Sequence, residues 1–214
     1  KLINNDSLSA IIIRLMMACN DISLANAYQA RCQDDDNPKN KDIDMAASMY
    51  FVRLQIGHIE EGLGIIREIK DNQAYSYMIR GLSKAGKHCF DKLCACMDGR
   101  SKEWNKYFTP IRNNLSFHYN HKKGSKLIVR AFKDRLCKKK QEVSKITIGD
   151  VQEMRFELGD QIVDTIVCRN IFGIPYSIDL RKDRNELDRI LMFGSKIGET
   201  FLRFSAEFIY RIAE

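Results

Sequence analysis

Val52, Ile56, Ile59, Leu63 and Ile66 recur at alternating steps of four and three residues, and that spacing admits few folds. An α-helix turns once in 3.6 residues, so the five side chains fall on one stripe that must be buried against other elements. The pattern returns along the chain. Leu8, Ile11, Ile12, Leu15, Cys19 and Ile22 follow the same steps behind Asp6 or Ser7 as a cap. Shorter helices are predicted over 73–82 and 84–97, with Gly81, Gly86 and Gly99 as end markers. Another is predicted over 150–169, carrying Val151, Met154, Leu158, Ile162 and Ile166, with Thr147 and Asp150 as a capping box. The last, over 185–213, places Leu187, Ile190, Ile197, Phe201, Phe204 and Phe208 on one side. Between them "QDDDNPKNKD" reads as a loop and "NIFGIPYS" as a helix end. "KLIVRAF" and "SKITIG" can pair as strands across a lysine run, and "KLIVRAFKDRL" reads equally as a helix. With no internal repeat and no Pro/Gly-rich linker, the expectation is one all-α domain over residues 1–214, an antiparallel helical bundle.

Composition narrows the class further. Hydrophobic residues make up 44% of the 214 and only three are proline, which excludes a disordered chain. The apolar opening "SLSAIIIRLMMAC" is interrupted by Arg14 and lacks a small-residue cleavage site, so neither a secretory signal nor a membrane span of about 18 uncharged residues is expected. The chain starts at Lys1 instead of Met, so a few native residues are expected to precede it. Seven cysteines, an odd number lying mostly in apolar helical patterns, read as reduced thiols of a cytoplasmic protein. Charge is concentrated. Residues 122–145 hold ten Lys/Arg against Asp134 and Glu142, a balance of +8 in a chain of net +7. One basic patch on an otherwise neutral protein fits an anionic partner, nucleic acid or a membrane surface; the alternative is a solvated lysine-rich loop.

The patch adjoins the stretch "PIRNNLSFHYNHKKGSK", residues 110–126, which holds two of the four histidines. Trp104, Phe108, Ile111 and Leu115 form an apolar stripe through it. Thr109 and Pro110 read as an N-cap followed by proline at the first helical position. Arg112 then lies in the first turn and His118 near the exit, with Cα atoms roughly 9 Å apart at the helical rise. The bare Arg-x4-6-His spacing says little, since about one such match is expected by chance. Two occur, Arg112 to His118 and Arg53 to His58. Arg53 sits inside a core helix, whereas Arg112 is followed by Asn113, Asn114 and the basic patch.

"IRNNLSFHY" resembles the signature of the HEPN superfamily (higher eukaryotes and prokaryotes nucleotide-binding): an arginine, a polar residue, then a histidine four to six positions on. The resemblance covers residues 5–120 and a closing helix over 185–213, with 122–145 as a basic insertion and the 150–169 helix beyond a minimal four-helix bundle. It implies a metal-independent endoribonuclease acting as a homodimer, of the toxin–antitoxin or phage-defence kind, with a protein or nucleotidyltransferase antitoxin as partner. Other members of the superfamily only scaffold or bind nucleotides.

The residue types suit that chemistry. Cleaving RNA without a metal needs a group near neutral pKa to move protons, and histidine is that group. It also needs fixed positive charge where the phosphorane develops, and arginine matches phosphate geometry. Arg112 and His118 are therefore the candidate catalysts, with Asn113 orienting the arginine or a phosphate oxygen and Tyr119 positioning the base. His121, Lys122, Lys123, Lys126, Lys138, Lys139 and Lys140 are the candidate RNA-binding residues. One histidine is too few for separate acid and base roles unless His121 serves or a second subunit brings its own. No cofactor, metal or membrane partner is expected. His88, Cys89, Cys94 and Cys96 lack the Cys-x2-Cys pair of structural zinc and read as packed thiols. Gly62 and Gly64 read as close helix packing, Asp34 to Asp36 as a solvated turn, and His58 as a polar-face residue. A second reading keeps the motif as packing in a non-catalytic dimerisation or RNA-binding module, and a third places the lysine run on a membrane surface.

Overall fold

A computed structural model describes residues 6–34, 41–113, 126, 128–133, 146–148, 154–174 and 180–213. The architecture is an all-α antiparallel bundle carrying one small strand pair. Its helices are α1 (Asp6–Asp34), α2 (Lys41–Asp71), α3 (Ser76–Gly81), α4 (Lys84–Met97), α5 (Thr109–Ile111), α6 (Glu157–Thr165) and α7 (Leu180–Ala213). A 3-10 turn, Gln73–Tyr75, leads into α3, and wide π turns at Trp104–Phe108 and Ile166–Ile171 precede α5 and follow α6.

The stripes of the sequence make the core. Val52, Ile56, Ile59, Leu63 and Ile66 are all buried, as are Leu8, Ile11, Ile12, Leu15 and Ile22 of α1 and Phe201, Phe204 and Phe208 of α7. Helix directions follow from which residues meet. Along α1, Arg14, Asn26 and Tyr28 meet Glu68, Gln55 and Phe51, so α2 runs back against α1. On α7, Gly198 lies against Gln55 and Ile59 while Phe201 lies against Gly62, so α2 and α7 run parallel. Ser83 bonds Glu207 and Phe90 stacks near Phe204, which sets α4 antiparallel to α7. Gly62 leaves room for α7 against α2: a Cβ there would lie 2.6 Å from the Phe201 ring.

Ends are set by local chemistry. The Ser83 hydroxyl accepts the Gly86 N–H at 3.0 Å and caps α4. At its other end Gly99 adopts φ +75°, while the Arg100 N–H reaches back to the Ala95 carbonyl at 2.9 Å, the left-handed termination that favours glycine.

Three expectations change. The helix predicted from residue 150 begins at Glu157, because Thr147 lies in β1 (Ile146–Ile148), which pairs antiparallel with β2 (Met154–Phe156). Thr147 therefore caps nothing, and Met154 belongs to a strand. "SKITIG" takes a partner 6 to 10 residues on instead of "KLIVRAF"; residues 128–132 of the latter are helical. Thr109 has helical angles, φ −55° and ψ −41°, so it is no cap. Residues 102–113 form one helix that begins after Ser101, whose hydroxyl accepts the Trp104 N–H at 3.4 Å. Proline inside a helix conflicts with the carbonyl four residues back. The π turn before Pro110, in which the Thr109 N–H bonds the Trp104 carbonyl, widens the helix there.

Among the described residues α1 alone is long and apolar enough to cross a membrane by length and composition, with a mean hydropathy of 1.6 over its best window. Arg14 and Asp21 interrupt it.

Candidate functional site

Arg112 lies on a helix, residues 102–113 as described, that is fixed by aromatic packing. Trp104, Phe108 and Ile111 are fully buried, Phe108 stacking on Trp104 at 5.0 Å and on Phe193 of α7 at 5.8 Å. Gly194 leaves room for that ring, since a Cβ there would sit 3.0 Å from it. The Trp104 indole N–H donates to Glu60 of α2 at 2.7 Å. The apolar stripe read from sequence thus orients the motif helix across α2 and α7.

From this base the Arg112 side chain leaves the surface 43% exposed. One guanidinium nitrogen donates to the Asn113 side-chain oxygen at 3.0 Å, and another stands 3.7 Å from Glu61. Glu61 is 71% exposed, so the ion pair is loose and solvated, worth about 0–1 kcal/mol. Glu60 is half-buried. Burial pushes its carboxyl above the ordinary range, against the opposing pull of Trp104, Arg112 and Thr109. Chemically, the arrangement is a part-exposed guanidinium steered by an amide and flanked by one half-buried and one exposed carboxylate. Such an arginine can take an oxyanion in exchange for Glu61.

Glu60 and Glu61 were not among the residues singled out from sequence. They lie about fifty positions from Arg112, and only their adjacency beside the buried α2 stripe marks them. The contact between Asn113 and Arg112 is the one the sequence suggested. His118, Tyr119, His121, Lys122, Lys123, Lys138, Lys139 and Lys140 lie outside the described residues, as does Leu115. Lys126 is exposed. Arg130 and Lys133 follow it at steps of four and three and are exposed too, while Ala131 is buried and Ile128 and Phe132 pack against the core. Arg130 and Lys133 therefore share the outer face of the helical stretch 128–133.

The other constellations take structural places. His58 lies 3.7 Å from Asp21 of α1, and Arg53 bonds the Met49 carbonyl and sits over the Tyr50 ring. His88 is exposed while Cys94 and Cys96 are buried, and burial lifts both thiols to about 11. Among the described residues no group of three His, Cys, Asp or Glu side chains is placed to hold a metal ion. Comparison with protein-family models, with curated proteins and with solved structures finds no match, so any function assigned to the chain rests on its own residues.

Proposed function

We propose that the chain is a metal-independent endoribonuclease of HEPN type, serving as a toxin or phage-defence effector in the cytoplasm. RNA is its substrate, and two copies form the working unit. The observation that carries the reading is Arg112: partly exposed, steered by Asn113 and only loosely held by Glu61, six residues before His118 and next to the basic segment. In this reaction the 2′-hydroxyl attacks the adjacent phosphorus and the bond to the 5′ oxygen breaks. His118 moves a proton from the nucleophile or to the leaving oxygen, and a second histidine, His121 or a partner's copy, does the other. Arg112 holds the charge that builds on the non-bridging oxygens. Products carry a 2′,3′-cyclic phosphate and a 5′-hydroxyl.

A second reading has its own observation. Two carboxylates beside Arg112 weaken the local pull on a phosphate, which favours a non-catalytic RNA-binding or dimerisation module. One experiment separates the two. His118→Ala and Arg112→Ala should each lower cleavage of mixed RNA substrates by about 10²–10⁴ while RNA binding is largely kept. Arg53→Ala and His58→Ala should not, and EDTA should leave the wild-type rate unchanged. Wild-type protein that leaves diverse RNAs intact, yet binds them, establishes the second reading. Equal cleavage by wild type and His118→Ala removes the assigned site.

A further inference from the structure

We propose that the outward face of α1 pairs antiparallel with the same face of a second copy of this chain. The assignment goes beyond the reading of Arg112 and does not depend on it.

α1 is apolar on two sides. Leu8, Ile11, Ile12, Leu15 and Ile22 face the bundle, yet Ile13 is 56%, Met17 59% and Leu24 57% exposed. Only 33% of the apolar window of this helix is buried within the chain. Scattered apolar residues on a surface need no explanation; these are not scattered. Asp6, Ala10, Ile13, Met17, Asn20, Leu24, Ala27 and Arg31 are all exposed and advance by four, three, four, three, four, three and four residues. Alternating steps of four and three draw the seam of a coiled coil. At the helical rise the seam extends over about 37 Å.

The order of side chains identifies the occupant. Steps of four and three beginning and ending on four read the same in both directions. A seam with that property meets its own copy, reversed, about a two-fold axis, here between Ala18 and Cys19. An isologous interface has this requirement: if one residue meets another, the second must meet the first. The pairs so formed are Asp6 with Arg31, Ala10 with Ala27, Ile13 with Leu24, and Met17 with Asn20. Opposite charges close both ends, Ile13 meets Leu24 of similar size inside them, Met17 lies against the Asn20 amide at the centre, and the alanine pairs let the helix axes approach to roughly 8–10 Å. A parallel pair would set Asp6 against Asp6 and Arg31 against Arg31. A lipid surface suits the face less well, because Asp6, Asn20 and Arg31 are distributed along it.

Light scattering and sedimentation of the full chain at about tens of micromolar test the pairing. Wild type should be dimeric. Leu24→Lys, at an exposed position where the fold can be checked by circular dichroism, should raise the dimer dissociation constant by at least about tenfold. Asp6→Arg alone and Arg31→Asp alone should each weaken the dimer, and the two together should restore it, because each end then carries the reversed pair. A monomeric wild type overturns the proposal. So does a dimer that Leu24→Lys leaves unchanged, or a double variant no better than its singles. Binding of the monomer to phosphatidylcholine vesicles, lost in Leu24→Lys, would assign the face to lipid instead.

Discussion

Replacing Glu60 with Gln sets two opposing effects on one half-buried carboxyl group against each other. Burial raises its pKa above the ordinary 4.5, while the Trp104 N–H, the Arg112 charge and Thr109 act in the other direction and do not prevail. The folded state therefore holds the Glu60 proton more tightly than the unfolded chain does. Stability from this group is fully present below about pH 4.5 and is lost as pH rises through the folded value. Gln keeps an acceptor for the indole N–H, which Glu60 receives at 2.7 Å, and never ionises. Glu60→Gln should match wild type near about pH 4 and gain on it by about pH 7–8. The exchange gives up part of a charged hydrogen bond, about 1 kcal/mol, and removes the larger desolvation penalty of the carboxylate. Glu60→Leu behaves differently: it strands a buried N–H and should cost about 1–3 kcal/mol in that bond alone. Trp104 is the only tryptophan, so its fluorescence during urea unfolding reports the variants directly. Wild type gaining on Glu60→Gln as pH rises would refute the reasoning, because Arg112 and Trp104 would then outweigh burial.

Replacing Lys138, Lys139 and Lys140 with Gln should weaken RNA binding and flatten its dependence on salt, by a slope change of up to about three if all three touch phosphates of duplex RNA; unchanged affinity and slope in a filter-binding titration would make the run a solvated loop. Gly62→Ala should destabilise the bundle by about 1–3 kcal/mol in urea unfolding, because its Cβ would stand 2.6 Å from a Phe201 ring with no exposed edge. Gly64→Ala, with nothing within 4 Å of the added methyl group, should instead stabilise α2 by up to about 1 kcal/mol.

What the sequence discloses here is periodic or local. The α2 stripe and the α7 aromatics could be placed because helical spacing alone decides which face is buried. α4 (Lys84–Met97) has the bounds expected for it, since Ser83 caps one end by its own hydroxyl and Gly99 turns the other. Thr109-Pro110 misled for a physical reason. The same dipeptide can start a helix or ride inside one, and the choice depends on whether the preceding turn can widen. That is settled by the burial of Trp104 and Phe108 against α2 and α7, not by neighbours in sequence. The stretch after residue 150 has apolar spacing that serves a strand over Met154–Phe156 as well as a helix, and pairing with Ile146–Ile148 decides it. Glu60 and Glu61 come to Arg112 only through tertiary packing, so no local pattern announces them.

That packing also divides the work between the two parts of the site. An arginine beside Glu60 and Glu61 has its field largely cancelled at any distance beyond a few ångströms, so Arg112 cannot be what draws a polyanion toward this surface. Lys126, Arg130 and Lys133 are better placed for that. All three are exposed, in a segment where basic residues outnumber acidic ones ten to two. Attraction through a run of cations is long-ranged, tolerant of sequence and sensitive to salt. Holding one phosphate is short-ranged and geometric, and there the neighbouring carboxylates do less harm. Glu61, exposed and 3.7 Å away, forfeits little when an oxyanion replaces it, and Asn113 accepts from a guanidinium nitrogen without occupying the place of Glu61. Under the ribonuclease reading, then, recruitment belongs to the basic segment and Arg112 acts only on a phosphate already delivered to it.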